Sequence, residues 1–171
     1  MTVDRPSADL FVALPPWLVP FDTTTAIFAN EVVDPGAQGI QLMAEGPRTA
    51  EPQPGPGESM ERWLLRRIES PAAGQPRIRQ VTLPAGAALL VERLDGTDTR
   101  FAWRFAAYAI RTPFGVAFLQ IDGPPDAWVG REDELAQIPW LIRVGPGRPV
   151  GRRSRGAAVP GAIRAAPAPG G

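Results

Sequence analysis

RFAWRFAAYAIRTPFGVAFLQI, residues 100–121, is the stretch that decides the fold. Its first half alternates: Phe101, Trp103 and Phe105 fall on one side of an extended strand, and Arg104 and Tyr108 on the other. Thr112-Pro113-Phe114-Gly115 is a turn signal, and VAFLQI (116–121) runs back. Two long apolar strands across a tight turn predict antiparallel pairing. Upstream, GAALLVERL (86–94) reads as a further strand that ends in an Asp95-Gly96 hairpin signal, within a loop over 95–99. Residues 77–83 open this region ahead of a Pro84-Ala85-Gly86 break. The expectation is a three-stranded antiparallel meander.

Further out, Ser59 is placed to cap a helix over 58–69, with Glu61 in its first turn. Met60, Trp63, Leu64 and Ile68 share one face at i, i+3, i+4, i+8 spacing. Arg62, Arg66 and Glu69 take the other, and Pro71 stops the helix. GPRTAEPQPGPG (46–57) carries four prolines and predicts a flexible or extended loop, longer than a compact domain usually tolerates. Residues 9–34 form a β region. Pro15-Pro16 demotes Leu10–Leu14 to an edge strand or lead-in. TTTAIFANEVV (23–33) and residues 40–44, joined by Asp34-Pro35-Gly36, predict a hairpin. After Gly123-Pro124-Pro125, residues 131–138 predict a helix. Glu132, Asp133 and Glu134 lie in its first turn, Leu135, Ile138 and Ile142 face the sheet, and Pro139 limits or kinks it.

Composition narrows the chemistry. The chain has 171 residues and neither His, Cys nor Lys; all 18 basic residues are Arg. That removes imidazole, thiolate and amine, and with them the usual general bases, covalent nucleophiles and zinc or haem ligands. Replacement of every Lys by Arg, with abundant Ala, Gly and Pro, fits a GC-rich bacterial genome. Eighteen acids balance the Arg, yet none follows Glu134, while Arg143, Arg148, Arg152, Arg153, Arg155 and Arg164 do. Residues 1–142 therefore carry 12 Arg against 18 acids, or −6, ahead of a basic tail. From 145 to 171 the chain is Gly, Pro, Ala and Arg with few large apolar groups, which predicts disorder. The organisation expected is one domain over 1–144 and a disordered basic tail over 145–171. No apolar run reaches 18 residues and the N-terminus lacks a signal-peptide pattern, so a cytoplasmic location is expected.

The element order is hairpin, loop, amphipathic helix, meander and closing helix. It resembles the Mog1/PsbP-like α/β/α sandwich superfamily, including DcrB-like and LpqN-related bacterial domains. The residues that carry the resemblance are SMERWLLRRI (59–68), LPAGAALLVERL (83–94), 100–121 and ELAQIPWLIRV (134–144). It implies an α+β fold in which a central antiparallel sheet is flanked by helices. It also implies partner-binding, adaptor or chaperone roles rather than catalysis, and offers no catalytic residue to carry over.

Glu132-Asp133-Glu134 is a solvated helix start rather than a metal site, since neighbours in a helix point apart. Asp122 and Asp126 flank a Pro-Pro turn and are the best carboxylate pair for a glycosidase-like hydrolase, although Asp also favours turns. Arg93, Arg104 and Tyr108 are candidates for a polar, anion-binding patch on one sheet face, or else an outward row with stems laid over apolar neighbours. Trp63 and Trp103 fit the core. Trp17, Trp128 and Trp140, beside Pro or Gly, line a partner groove or cap the core ends. Arg152, Arg153 and Arg155 are the tail's candidates, with nucleic acid disfavoured because the basic residues are sparse and lack aromatic interleaving. No cofactor and no metal are expected. The leading function is a non-catalytic protein-interaction domain, an adaptor or chaperone in the bacterial cytoplasm, accessory to a secretion or phage-tail-like machine, with homo- and hetero-oligomers both open. The alternatives are a small-ligand carrier, with a Trp- and Phe-lined pocket between hairpin and meander, and the carboxylate hydrolase.

Overall fold

The computed structural model describes residues 2–4, 10–22, 26–68, 76–95 and 102–146. The strands are β1 (Thr2–Asp4), β2 (Leu10–Ala13), β3 (Leu18–Asp22), β4 (Ile27–Glu31) and β5 (Gln41–Glu45), then β6 (Arg77–Leu83), β7 (Gly86–Asp95), β8 (Trp103–Thr112), β9 (Gly115–Gly123) and β10 (Arg143–Val144). The helices are α1 (Met60–Arg67), α2 (Pro125–Trp128) and α3 (Glu132–Gln137), the last running into a 3₁₀ turn over Ile138–Leu141. Seven strands make one antiparallel sheet in the order β3-β4-β5-β9-β8-β7-β6, and β1-β2-β10 make a second, small sheet.

The β8–β9 hairpin forms as its alternation predicts, with Thr112 opposite Gly115. The expected N-terminal hairpin is β4–β5. Three expectations need correction. The meander has four strands, because Arg77–Leu83 turns at Pro84-Ala85 and pairs along its whole length with β7. Gly86 makes that turn possible: its φ is +151°, and a Cβ there would sit 1.9 Å from the Arg111 carbonyl oxygen. Second, helices cover only one face of the large sheet alone. The other is covered by the small sheet together with α3 and the 3₁₀ turn, since β10 returns to pair with β2. A two-residue strand leaves too short a pattern to read.

Third, residues 46–57 are not a loose loop. The Gln53 side chain acts as a surrogate strand against β9. Its Nε2 donates to the backbone oxygens of Ala50 and Val116, both at 2.9 Å, and its Oε1 accepts from the Val116 N–H at 2.8 Å. Trp63 Nε1 donates to the Pro52 carbonyl at 2.7 Å, and Ala50 is fully buried. Four prolines here limit the unfolded chain's freedom, so ordering the segment costs less.

Burial separates the two faces. Phe105, Ala107, Ala109, Val116 and Phe118 pack beneath Met60, Trp63, Leu64 and Ile68 of α1, whose N-terminus Ser59 caps by accepting from the Arg62 N–H. Leu90, Tyr108, Ile110, Leu119 and Ile121 pack on the opposite face against Leu10, Val12, Leu135, Ile138 and Ile142. Phe101, Glu69, Pro71, the turn beyond Asp95 and the tail from 147 lie outside the described residues.

Candidate functional site

A helix of eight residues is about 12 Å long, while seven strands span about 29 Å. The core beneath α1 accordingly centres on β7, β8 and β9. Farther along the same face, register places Phe28 beside Met43, and Met43 beside Gln120. Phe28 and Met43 are half-buried. Phe21, 65% exposed, stacks at 6.0 Å on Phe28, and Val19 is 43% exposed beside Asn30. Val19, Phe21, Phe28 and Met43 thus form an apolar surface over β3–β5, edged by the polar Asn30 and Gln41. This surface was not anticipated. The signal was the alternation in LVPFD, which places Val19 and Phe21 on one side.

Arg67 marks the border between the covered and open parts of this face. Its guanidinium lies 4.8 Å from the Phe118 ring and 5.4 Å from Trp63, pairs with Glu45 on β5, and donates through Nη1 to the Glu51 carbonyl at 3.1 Å. Burial pushes the Arg67 pKa down. One side chain therefore ties the end of α1 both to β5 and to residues 46–57, which strap α1 to β9.

The three residues expected to share a polar face do not. Arg93 pairs with Phe105 across β7 and β8 and stacks over that ring at 4.5 Å, on the α1 face. Arg104 and Tyr108 lie on the opposite face. The direct β7–β8 register decides this: Arg104 lies opposite Leu94, one position from Arg93, which reverses the side. Arg93 Nε donates to both oxygens of Asp95, at 2.6 and 2.7 Å, and its Nη1 is buried without a partner. Tyr108 is 8% exposed, and its hydroxyl pKa is raised by burial and by Glu92.

Asp122 and Asp126 are likewise not a pair. Asp122 lies on the α1 face, where Trp103 Nε1 donates to it at 2.7 Å and Gln120 Nε2 at 3.2 Å. Burial raises its pKa, opposed by those two hydrogen bonds and by Arg93. Asp126 instead lines an open cleft of about 610 Å³ with Glu31, Val33, Gln38, Val129 and Arg131. Glu31 and Arg131 in that cleft are engaged in the fold. Glu31 pairs with Arg131 and accepts from the Ile40 N–H at 3.0 Å. Arg131 stacks at 4.3 Å on Trp17, whose Nε1 donates to Glu134 at 3.0 Å.

The three outlying tryptophans do not line one groove. Trp17 belongs to the Arg131 network. Trp128 is 5% exposed and caps the core, with Arg104 stacked on it at 4.4 Å. Trp140 is 52% exposed and lines a separate depression of about 350 Å³ with Phe11, Pro84 and Arg143. Where a pocket between hairpin and meander was expected, β5 hydrogen-bonds directly to β9, so among the described residues the two join edge to edge in one sheet. Arg152, Arg153 and Arg155 lie outside the described residues. Among the described residues no three His, Cys, Asp or Glu side chains gather to hold a metal ion, and no helix is long and apolar enough to cross a membrane. No protein-family model matches the chain, and no curated protein matches it in sequence.

Proposed function

We propose that the protein is a non-catalytic protein-interaction domain, an adaptor or chaperone of the bacterial cytoplasm related to the Mog1/PsbP-like sandwiches, and an accessory to a larger assembly such as a secretion or phage-tail-like machine. One observation carries this reading: the apolar surface of Val19, Phe21, Phe28 and Met43, which α1 is too short to cover. Phe21 is the natural anchor, a large aromatic exposed on the sheet and backed by a second ring. The arginine and tryptophan residues that composition first suggests as contacts are in large part engaged within the fold.

The test is affinity capture from the native host with the parent chain and with Phe21→Glu, both checked for an intact fold by circular dichroism. A partner retained by the parent and lost by the variant supports the proposal. Identical captured sets, or none beyond background, overturn it.

A further inference from the structure

The two edges of the large sheet differ in construction. At one end, β3 is five residues long, contains Pro20, which has no N–H, and shifts register between Pro20 and Asp22. Those are the devices that blunt an edge. At the other end, β6 runs seven residues in unbroken register with β7, from Arg77 opposite Glu92 to Leu83 opposite Gly86. It contains no proline and no bulge, and among the described residues no strand pairs with its outer side. Alternate residues of an antiparallel strand direct their N–H and C=O groups away from the existing partner, so β6 offers an intact half-ladder.

The side chains of β6 state what would fit. Arg77 and Arg79 share one face, and Ile78, Gln80 and Thr82 the other. Arg77, Arg79, Gln80 and Thr82 are exposed, and Ile78 is half-buried. No acid lies on β6. The nearest placed by register is Glu92 on β7, with its carboxylate 3.5 Å from Arg79, whose side chain remains 63% exposed. One such carboxylate leaves an excess of positive charge along this edge.

We propose that β6 is a docking strand, extended by a segment of a partner protein that adds antiparallel or parallel to it. That segment carries Asp or Glu at alternate positions, facing Arg77 and Arg79, and apolar or hydroxyl side chains at the positions between, facing Ile78 and Thr82. Main-chain hydrogen bonds supply much of the affinity and the alternating charge supplies the selection. The inference deepens the interaction reading above but uses a different surface.

The probe is a synthetic peptide of alternating glutamate and valine, as long as β6, with a lysine–valine peptide as control. Binding to the full chain is followed by backbone amide NMR and by amide hydrogen exchange. The expected result is saturable binding of the glutamate peptide, new protection of alternate β6 amides, and none for the lysine peptide. The double variant Arg77→Glu/Arg79→Glu, both surface positions, should bind the glutamate peptide about tenfold more weakly because attractions become repulsions. Absence of binding, equal binding of both peptides, or protection confined to the Phe21 surface overturns the proposal. So does protection of β6 amides that grows with protein concentration alone, which would make a second copy the occupant. The two readings fail separately: host capture that depends on Phe21 and ignores Arg77 and Arg79, with no peptide binding, refutes the β6 strand and leaves the first intact.

Discussion

Replacing Gln53 with alanine tests whether residues 46–57 are part of the folded unit. The change removes three hydrogen bonds, to the Ala50 carbonyl, the Val116 carbonyl and the Val116 N–H. At about 1 kcal/mol net each, the loss is about 3 kcal/mol. Freeing the glutamine side chain from one rotamer returns part of this, about 1 kcal/mol. Val116 is itself buried, so water reaches its orphaned groups poorly and the unmade bonds push the cost up again. The expected destabilisation is therefore about 2–3 kcal/mol, or roughly 4–12 °C in Tm for a chain of this size. Urea unfolding gives the free energy, and amide exchange at Val116 reports the site, where exchange should accelerate. Gln53→Glu sharpens the test. Its carboxylate can still accept from the Val116 N–H but then faces two carbonyl oxygens. Those oxygens favour the protonated form, raising the pKa of the introduced acid in the folded state. Its stability should be greatest in acid and fall as pH rises through that raised value. A Gln53→Ala chain within about 0.5 kcal/mol of the parent, with unchanged exchange at Val116, would refute the strap.

Two further outcomes follow from the same structure. Gly86→Ala places a Cβ 1.9 Å from the Arg111 carbonyl oxygen at a φ of +151°, and should cost at least about 2 kcal/mol by urea unfolding; a cost below 1 kcal/mol would mean that the β6–β7 turn is built differently. Asp122 has a pKa raised by burial above its ordinary 3.8, so the folded state holds that proton more tightly than the unfolded one. Stability from this group is present in acid and is lost as pH climbs through the raised value. Asp122→Asn removes that dependence, so the variant should gain on the parent as pH rises above the ordinary 3.8 in paired urea titrations, and a gap that is constant or shrinks would contradict the assignment.

The α1 face and the β8–β9 hairpin were legible in sequence because each repeats over several turns or pleats. Met60, Trp63 and Leu64 mark one period, and Phe105, Ala107 and Ala109 the other. The loop over 46–57 was legible, but what anchors it was not, for a physical reason. Its composition is that of a loop, but Gln53 satisfies the β9 backbone with its side chain, and no local pattern announces an amide that replaces a strand. The placement of Arg93 failed differently. Alternation fixes which residues of one strand share a face, but the relative face of two strands depends on register across the intervening turn. The expected side of Arg104 and Tyr108 was correct within β8, and only the structure could place Arg93 against Phe105.

The missing His, Cys and Lys take on a structural meaning once the arginines are located. Arg67 stacks on Phe118 and Trp63, Arg93 on Phe105, Arg104 on Trp128, and Arg131 on Trp17. A planar, weakly hydrated guanidinium can lie flat on a ring and keep donors in its plane for carboxylates, which an ammonium cannot do as well. Arg67, Arg93 and Arg131 each lie over a ring while pairing with Glu45, Asp95 and Glu31. The same stacking occupies Trp17 and Trp128, which composition alone would assign to a partner. Enrichment of Arg and Trp is thus partly consumed in holding short helices, strap and sheet together. The two surfaces proposed above for recognition are less conspicuous in sequence. They are a phenylalanine and a valine beyond the reach of α1, and two arginines on an edge strand with no proline to close it. Surfaces of this kind arise where the covering elements are shorter than the sheet is wide, so lengthening α1 across β5 by design should bury Phe28 and Met43 and remove the first surface while leaving the β6 edge untouched.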